Sequence, residues 1–455
     1  MGLEHEREVI GRAVRVARDT RLFQAESGIR HNTGTVFREH FAGQTAIVIA
    51  DENTFAAAGR DVQASLEREG LAGHEPFIFG PHVHADAECV EELEHFLRPV
   101  PAIPVAVGSG TLNDLTKLVA YRLNRPYLVV GTAASMDGYA AFGASILKDG
   151  SKETIECPAP RAILADLEVI CRAPAGLNPS GYADLVAKIP AGADWMLADA
   201  AGAEAIVKPV WDTVQTYLRS WVGEPAAILA GEAEPTAHLL DGLVMSGLAM
   251  QEMLTSRPAS GAEHQFSHLW DMQHHVHQGV APSHGFKVGI GTLASTALFE
   301  DLMARDMQRL DVDKAVDEWP SFEAHRERIL ELFGPGGLAR RAQDETRAKY
   351  AAGDVLRAQL TSLRDNWGGL VPKLKAQLLP FAELRDMLAK AGCPFDPAHI
   401  GISRARLRLA YQQCCYLRRR FTVLDVAHRA GLLESALDNL FGPRGVWAGA
   451  GEAAE

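Results

Sequence analysis

Two neighbouring stretches decide the fold of this 455-residue chain: VAVGSGTLND at Val105–Asp114 and YLVVGTAASMDGYA at Tyr127–Ala140. The first predicts a buried strand at Ile103–Val107, a glycine turn and a helix at about Thr111–Leu123, whose apolar residues recur with helical spacing. The second predicts a strand without charged residues at Tyr127–Val130, which is typical of a parallel strand covered on both faces.

A ligand-binding crevice is predicted where these two strands end. Because the loops that follow adjacent parallel strands open at the same edge of a sheet, residues 108–114 and 132–137 should face one ligand. In a glycine turn that begins a helix, backbone N–H groups point toward a bound anion, and phosphate is the expected ligand. Gly-Ser-Gly alone lacks the third glycine of the dinucleotide fingerprint, so a structural turn is the alternative. The polar residues of the second loop favour a cofactor site.

Strand and helix patterns alternate up to about residue 172, and helical patterns dominate beyond it. The alternation continues in strands at Thr45–Ala50 and Pro76–Phe79, helices at Phe55–Arg68 and Ala85–Phe96, and an extended segment at Arg161–Ile170. This order predicts a parallel sheet with helices on its faces. Pro174, Gly176 and Pro179 then mark a boundary. We therefore expect an α/β nucleotide-binding domain at 1–173 and an all-helical metal-binding domain at 174–455.

The second part of the chain contains seven segments with helical periodicity. They are Leu239–Leu254, Ala262–His275, Val288–Leu302, Phe322–Phe333, Glu345–Trp367, Leu384–Ala391 and Arg404–Arg418. The first of these carries Gly242, Ser246, Gly247 and Ala249, small residues that allow neighbouring backbones to approach closely. It is therefore predicted to be a buried central helix.

Composition and charge exclude several classes of protein. Hydrophobic residues make up 47% and charged residues 23% of the chain, as in ordinary soluble proteins, and the net charge of −13 argues against a nucleic-acid partner. The six cysteines show no paired spacing, which favours a reducing cytoplasm. The charged amino terminus does not resemble a secretory signal, and no segment is apolar enough to cross a membrane. The arginine-rich run Arg404–Arg420 is predicted to be a solvated or salt-bridged surface.

Four side chains in the second part suit a divalent cation: Asp184, His264, His268 and His284. Ser260 and Glu263 form a capping-box pattern, which places His264 and His268 one turn apart on the same helix face. A structural or solvent-facing role for this histidine pair is the alternative. The nearby group of His274, His275 and His277 is predicted to lie on the surface.

The whole set of motifs resembles the glycerol-1-phosphate dehydrogenases, within the wider superfamily of iron-containing alcohol dehydrogenases, glycerol dehydrogenases and dehydroquinate synthases. The matching motifs are Gly-x-x-Asp ending at Asp184, Gly-x-Glu-His-x-x-x-His ending at His268, and a later His-Gly at His284. The resemblance implies a dehydroquinate synthase-like fold, with Asp184, His264 and His284 binding one metal ion. It also implies that His268 and Asp137 approach the substrate. Ligand chemistry does not choose among zinc, nickel and iron.

The resemblance further implies a nicotinamide cofactor, either NAD or NADP. Its expected contacts are Asp51, Gly108, Ser109, Gly110, Thr111, Asp114, Thr132 and Ser135. Asp114 is expected to accept hydrogen bonds from ribose hydroxyls or backbone N–H groups, with a helix-start carboxylate as the alternative. Asp51 follows the first strand, where it could accept from a ribose 2′-hydroxyl and favour NAD, although an ordinary strand-end aspartate explains it equally.

The expected reaction is the interconversion of dihydroxyacetone phosphate and sn-glycerol 1-phosphate by a cytoplasmic homo-oligomer. Candidate ligands for the substrate phosphate are Lys148, Lys152, Lys188 and Lys287, none of which is preferred. If none of them reaches the site, an unphosphorylated polyol becomes the better substrate. A dehydroquinate synthase-like cyclase and a cofactor-binding protein without turnover are further alternatives.

Overall fold

The computed structural model describes residues 3–80, 83–148 and 151–448. Its eight strands are β1 (Leu22–Glu26), β2 (Ala46–Asp51), β3 (Phe77–Phe79), β4 (Ile103–Gly108), β5 (Leu128–Gly131), β6 (Ala144–Lys148), β7 (Ser151–Ile155) and β8 (Ala162–Asp166). Six of them form one parallel sheet in the order β1-β8-β5-β4-β2-β3, and β6 pairs with β7 in an antiparallel pair.

Twelve helices lie in the first half of the described chain. They are α1 (Leu3–Val16), α2 (Thr33–His40), α3 (Glu52–Thr54), α4 (Arg60–Arg68), α5 (Ala87–Leu97), α6 (Gly110–Arg122), α7 (Leu167–Ile170), α8 (Leu177–Val186), α9 (Lys188–Ala200), α10 (Lys208–Gln215), α11 (Leu218–Trp221) and α12 (Pro225–Leu229). A single π-helical turn at Phe55–Gly59 joins α3 to α4.

Eleven helices follow. They are α13 (Ala233–Met253), α14 (Ala262–Met272), α15 (His284–Met303), α16 (Val312–Asp317), α17 (Phe322–Phe333), α18 (Gly337–Lys349), α19 (Gly353–Gln377), α20 (Phe381–Lys390), α21 (Arg404–Cys414), α22 (Val423–Arg429) and α23 (Leu433–Phe441). Short 3₁₀ turns lie at Ile29–Asn32, Met307–Arg309 and Pro397–Ile400.

Helices cover both faces of the parallel sheet, because alternate residues of each strand point to opposite sides. On β2, Val48 and Ala50 join a core with residues of α2 and α4, whereas Ile47 and Ile49 join a core with residues of α5 and α6. The buried residues of β2 are fully enclosed, as their β-branched and apolar sequence predicts. The expectation of an α/β sheet followed by a mostly helical part is confirmed.

Two local expectations differ from the structure, and one strand was not predicted. The segment Arg161–Ile170 is not extended throughout, because Asp166 ends β8 and caps α7 by accepting from the N–H of Glu168 (3.0 Å). The predicted helix Glu345–Trp367 is interrupted between α18 and α19, where Gly353 has a positive φ of 55°. Strand β1 has no counterpart in the sequence expectations, because LFQAE is short and polar at alternate positions.

Contacts divide the chain into two compact units. The first contains Met1–Leu185 and Asp212–Ser256, and the second contains Val186–Trp211 and Arg257–Glu455. The division into domains at residue 173 stays a prediction. The boundaries of the compact units lie at other residues. The reason is that α13 packs against α1 and α7 of the first unit.

The buried central helix expected at Leu239–Leu254 is present as α13, whose small residues at 242, 246, 247 and 249 are all buried. The group of three histidines departs from its expected surface position at one residue. His275 is buried, and its Nε2 contacts the carbonyl oxygen of Ile400 at 2.6 Å. No helix in the described part of the chain has the length and apolar character needed to span a membrane.

Candidate active site

The glycine turn lies at the carboxyl end of β4, where the sequence places it. Ser109 is the N-cap of α6, which begins at Gly110. The first N–H groups of a helix have no partner within the helix, which favours an anion there. Gly131 of β5 lies opposite Gly108 of β4, and the N–H of Thr132 donates to the carbonyl oxygen of Gly108 (3.2 Å). The two predicted loops therefore begin side by side.

The remaining candidate cofactor residues occupy the same edge of the sheet or its neighbourhood. Thr111 and Ser135 are half-buried in these two loops. The carboxylate of Asp114 accepts from the N–H of Ser145 (3.1 Å), which supports a role in positioning β6. The Asp51 side chain accepts from the N–H of Thr54 (2.8 Å) and caps α3. These contacts leave the cofactor roles of Asp114 and Asp51 as predictions.

Glycines bring two helices into close contact with the loop that carries Asp137. A Cβ added at Gly181 of α8 would overlap the carbonyl oxygen of Ala134, and one added at Gly247 of α13 would lie 2.8 Å from the Cβ of Ala140. Only glycine permits these approaches without a shift of backbone. The glycine of the Gly-x-x-Asp motif is therefore required for packing. It determines how closely α8, which carries Asp184, approaches the loop.

Asp137 is held between two of these helices. Its N–H donates to Oδ2 of Asp184 (3.1 Å), and its own Oδ2 accepts from the hydroxyl of Ser246 on α13 (2.9 Å). Asp137 as a whole residue is half-buried. The expected substrate-facing residue and one expected metal ligand are thus in direct contact.

Lys117 anchors the same loop and was not recognised in the sequence, because it falls within the apolar stripe of α6. Its Nζ donates to the carbonyl oxygens of Gly138 (3.0 Å), Ala141 (2.9 Å) and Gly143 (3.0 Å), and the side chain is buried. Asp114 Oδ1 lies 3.7 Å from this Nζ. One ammonium group therefore satisfies three carbonyl groups directly after Asp137.

Replacing Lys117 with methionine should destabilise the protein by about 3 kcal/mol, because three carbonyl oxygens lose their buried donor and the Asp114 carboxylate loses a nearby positive charge. Turnover should fall as well, since the loop that positions Asp137 loosens. Urea unfolding and steady-state kinetics measure both effects. Lys373→Met, at an exposed position of α19, is the matched control and should leave both unchanged. Wild-type stability in Lys117→Met would contradict this role.

Three imidazoles form a cluster in the second unit. His264 and His268 lie one turn apart on α14, with ring centroids 6.2 Å apart, and His284 is the first residue of α15. The His284 ring lies 5.4 Å from that of His264 and 6.4 Å from that of His268. Ser283 caps α15 by accepting from the N–H of Phe286 (3.3 Å), which fixes where His284 begins the helix.

The start of α14 differs from the predicted capping box. Gly261, not Ser260, is the N-cap, and Glu263 Oε1 accepts from its N–H. Asp194 of α9 supplies the second cap by accepting from the N–H of Ala262 (2.6 Å). Burial, followed by the nearby Glu263 carboxylate, raises the pKa of Asp194 to about 8. The helix start therefore rests on two buried carboxyl groups, not on a serine.

Glu263 also orients a candidate metal ligand. Nδ1–H of His264 donates to Glu263 Oε1 (2.9 Å), which favours the tautomer in which Nε2 carries the lone pair. His284 has a comparable contact through Nδ1 with the Ser267 hydroxyl (3.4 Å). Such contacts orient the ring and increase ligand basicity.

Replacing Glu263 with glutamine should lower metal affinity by about 10- to 100-fold, because the amide keeps a hydrogen bond to His264 but removes the negative charge behind it. Competition with a chromophoric chelator measures the affinity directly. Glu327→Gln on the exposed side of α17 is the control. Equal metal affinity in Glu263→Gln and the control would show that the carboxylate only caps the helix.

A glycine also permits α14 and α15 to approach one another. A Cβ at Gly291 of α15 would overlap the carbonyl oxygen of Glu263 on α14. Since His264 follows Glu263 directly, this close contact sets the spacing of the two imidazoles. Packing thus explains the glycines in the first half of α15, where the residues from Lys287 onward are buried.

Asp184, His264 and His284 offer ligand atoms that all lie within 4.8 Å of one another. One carboxylate and two imidazoles suit a divalent transition metal and leave coordination positions open. The donor set therefore fits such an ion. Three residues that are distant in sequence are brought together as the motifs imply, while their role as ligands stays a prediction.

Two arginines of the run Arg404–Arg420 differ from the predicted solvated or salt-bridged surface. Arg418 is half-buried and donates from Nη2 to Nε2 of His268 (2.8 Å). Arg420 donates to the carbonyl oxygen of Ser260 (2.6 Å), and burial lowers its pKa to about 9. Sequence periodicity missed both because they follow the end of α21, where a helix pattern no longer indicates which side chains are covered.

Known proteins are similar to this chain in sequence and in fold. A family model described as iron-containing alcohol dehydrogenase matches residues 24–174. A protein of Geobacillus thermodenitrificans named glycerol-1-phosphate dehydrogenase (NAD(P)+) is 34% identical over 297 residues, which cover 63% of this chain and 72% of that protein. The chain belongs to the glycerol-1-phosphate dehydrogenase family. A family member of the same name from Halalkalibacterium halodurans is 31% identical over 289 residues, with the same two coverages of 63% and 72%.

Solved structures extend the similarity of fold beyond this family. A probable glycerol dehydrogenase from Sinorhizobium meliloti aligns with a TM-score of 0.59 at 14% identity, covering 94% of this chain and 99% of that one. This likeness concerns the fold alone. It confirms the expected fold, an α/β part followed by a mostly helical part.

Proposed function

We propose that this protein catalyses the NAD(P)H-dependent reduction of dihydroxyacetone phosphate to sn-glycerol 1-phosphate, and the reverse reaction. The observation that carries the proposal is the convergence of Asp184, His264 and His284, from three separate motifs of the family, within 4.8 Å of one another. The relatives named glycerol-1-phosphate dehydrogenase (NAD(P)+) supply the substrate and cofactor class.

Asp184, His264 and His284 would hold the divalent metal, and the N-terminus of α6 with the loops at residues 108–114 and 132–137 would hold the cofactor. When bound, the metal supplies a Lewis acid for the substrate carbonyl and the nicotinamide supplies hydride. The N–H groups at the start of α6 suit the cofactor pyrophosphate.

His268 is assigned to the substrate as a hydrogen-bond donor. A guanidinium offers donors alone, so Nε2 of His268 accepts from Arg418 and the proton of the neutral ring is at Nδ1. If neutral His268 gave up its Nδ1 proton, it would become an unfavourable imidazolate. We therefore assign the proton of the product hydroxyl to water and not to His268. Asp137, whose carboxylate accepts from the hydroxyl of Ser246, is assigned to orient a substrate hydroxyl.

The test is an assay of the metal-reconstituted protein with dihydroxyacetone phosphate, using NADH and then NADPH, followed by chiral analysis of the glycerol phosphate formed. We expect oxidation of the reduced cofactor and the sn-1 product. Dihydroxyacetone and glycerol serve as comparison substrates. Higher kcat/KM with the unphosphorylated pair would make the protein a polyol dehydrogenase instead.

The remaining expectations are part of this proposal. We propose a cytoplasmic homo-oligomer that acts on a small phosphorylated substrate and binds neither nucleic acid nor membranes. The net charge of −13 supports the absence of a nucleic-acid partner. Sedimentation of the purified protein tests its oligomeric state.

A further inference from the structure

The Arg418 side chain occupies a distinctive place in the second unit. It follows α21 and precedes the cap of α22, and its guanidinium contacts His268 through Nη2 (2.8 Å). His268 in turn lies with its ring centroid 6.2 Å and 6.4 Å from the rings of His264 and His284. A permanent cation is therefore one side chain away from two candidate metal ligands.

The positive charge of Arg418 is not neutralised by a carboxylate in the part of the chain that the structure describes. Glu345 is the carboxylate whose charge acts on it, but Glu345 accepts from the backbone N–H, Nε and Nη2 of Arg419 at 2.9–3.3 Å. Burial, followed by the neighbouring Arg341 guanidinium, lowers the pKa of Arg418. Two guanidiniums near one another in a half-buried place favour an added anion.

The lysines suggested by the sequence are less suited to this role. Lys287 is buried and forms an ion pair with Asp271 of α14, so its charge is already balanced. Lys188 is fully buried within α9. The side chains of Lys148 and Lys152 lie outside the described residues. Neither Lys188 nor Lys287 is thus shown to offer the phosphate an uncompensated positive charge next to the imidazole cluster. Arg418 offers such a charge.

We propose that Arg418 binds the phosphate group of the substrate, an inference that rests on the proposed reduction of a triose phosphate. The planar guanidinium can donate two parallel hydrogen bonds to phosphate oxygens, which an ammonium group cannot do. One N–H of Nη2 keeps its contact with His268, while the second N–H of Nη2 can pair with that of Nε or Nη1 to bind the phosphate. One side chain then selects phosphorylated substrates and fixes the orientation of the His268 ring.

The test compares Arg418→Met with wild type on dihydroxyacetone phosphate and on unphosphorylated dihydroxyacetone. We expect kcat/KM for the phosphorylated substrate to fall about 100-fold, since charge-assisted hydrogen bonds to the phosphate are lost, whereas kcat/KM for dihydroxyacetone changes less than about threefold. Arg418→Lys keeps the charge but not the fork, and should recover part of the loss. Metal content and thermal unfolding show whether each variant is folded and loaded.

Arg419→Met is the matched control. Arg419 is the next residue, its side chain is 70% exposed, and it is paired with Glu345. It should change neither substrate's kcat/KM by more than about twofold, because exposed ion pairs contribute little. A preference for the phosphorylated substrate that stays unchanged in Arg418→Met would overturn the inference. An equal fall for both substrates would also overturn it, because it would mean that Arg418 only positions His268.

Failure of the proposed function has a different signature. If wild type does not reduce dihydroxyacetone phosphate, the reaction assignment is wrong, and binding of inorganic phosphate then tests Arg418 alone. An anion site predicts that phosphate raises the melting temperature of wild type and of Arg419→Met but not of Arg418→Met. The same phosphate response in all three proteins would reject the anion site itself.

Discussion

His264→Ala is expected to lose its bound metal and to reduce turnover by about 1,000-fold or more. Loss of a Lewis acid that stabilises developing charge costs several kcal/mol, and each 1.36 kcal/mol is a factor of ten in rate. His264 is one of two imidazoles in the proposed three-residue ligand set, so its removal should leave a site too poor in donors to retain the ion. Metal analysis after dialysis, together with the reductase assay, measures both effects.

The fold should survive this substitution. Alanine is the best helix former, and α14 keeps its caps from Asp194 and Glu263. A loss of about 1–3 kcal/mol in the free energy of unfolding is expected because Oε1 of Glu263 loses the donor on His264. His95→Ala, at an exposed position of α5, is the control and should match wild type in metal content and rate. Retention of stoichiometric metal by His264→Ala would disprove the ligand assignment.

Local sequence signals predicted the elements whose pattern is decided within a few residues. β4, α6 and β5 follow from an apolar run, a glycine turn and a helical stripe. Since loops after adjacent parallel strands lie at the same edge of a sheet, residues 108 and 132 were expected to lie side by side, as they do. The spacing of His264 and His268 likewise follows from one turn of helix. These inferences needed no knowledge of distant contacts.

Tertiary contacts decide what the sequence did not predict. Lys117 lies in an apolar stripe because three carbonyl groups from residues 138–143 surround its ammonium group, and no local pattern encodes that partnership. Arg418 resembles its exposed neighbour Arg419 in sequence, yet the first contacts His268 and the second Glu345. The cap of α14 similarly comes from Asp194, 68 residues away from Ala262. Burial of a charged side chain is decided by its partners, not by its neighbours in the chain.

Gly181→Ala is expected to destabilise the protein by about 1–3 kcal/mol and to lower kcat/KM by about 100-fold. The new Cβ would overlap the carbonyl oxygen of Ala134, which is backbone and cannot rotate away. Either α8 or the loop at residues 132–137 must therefore shift. Asp184 is three residues further along α8, and Asp137 is three residues beyond Ala134. The shift should therefore separate the proposed metal ligand Asp184 from Asp137. A displacement near 1 Å is enough to cost about 100-fold in rate.

The distinguishing measurements are metal affinity and unfolding, made on the same preparation. Gly369→Ala on α19 is the control, because a Cβ there meets no atom within 4 Å and alanine should stabilise the helix by about 0.5–1 kcal/mol. If Gly181→Ala unfolds like wild type and binds metal equally well, α8 does not set the position of Asp184 through this contact. If Gly181→Ala loses stability but keeps metal affinity, the loop has shifted and α8 has not. The rate should then fall only because Asp137 is displaced.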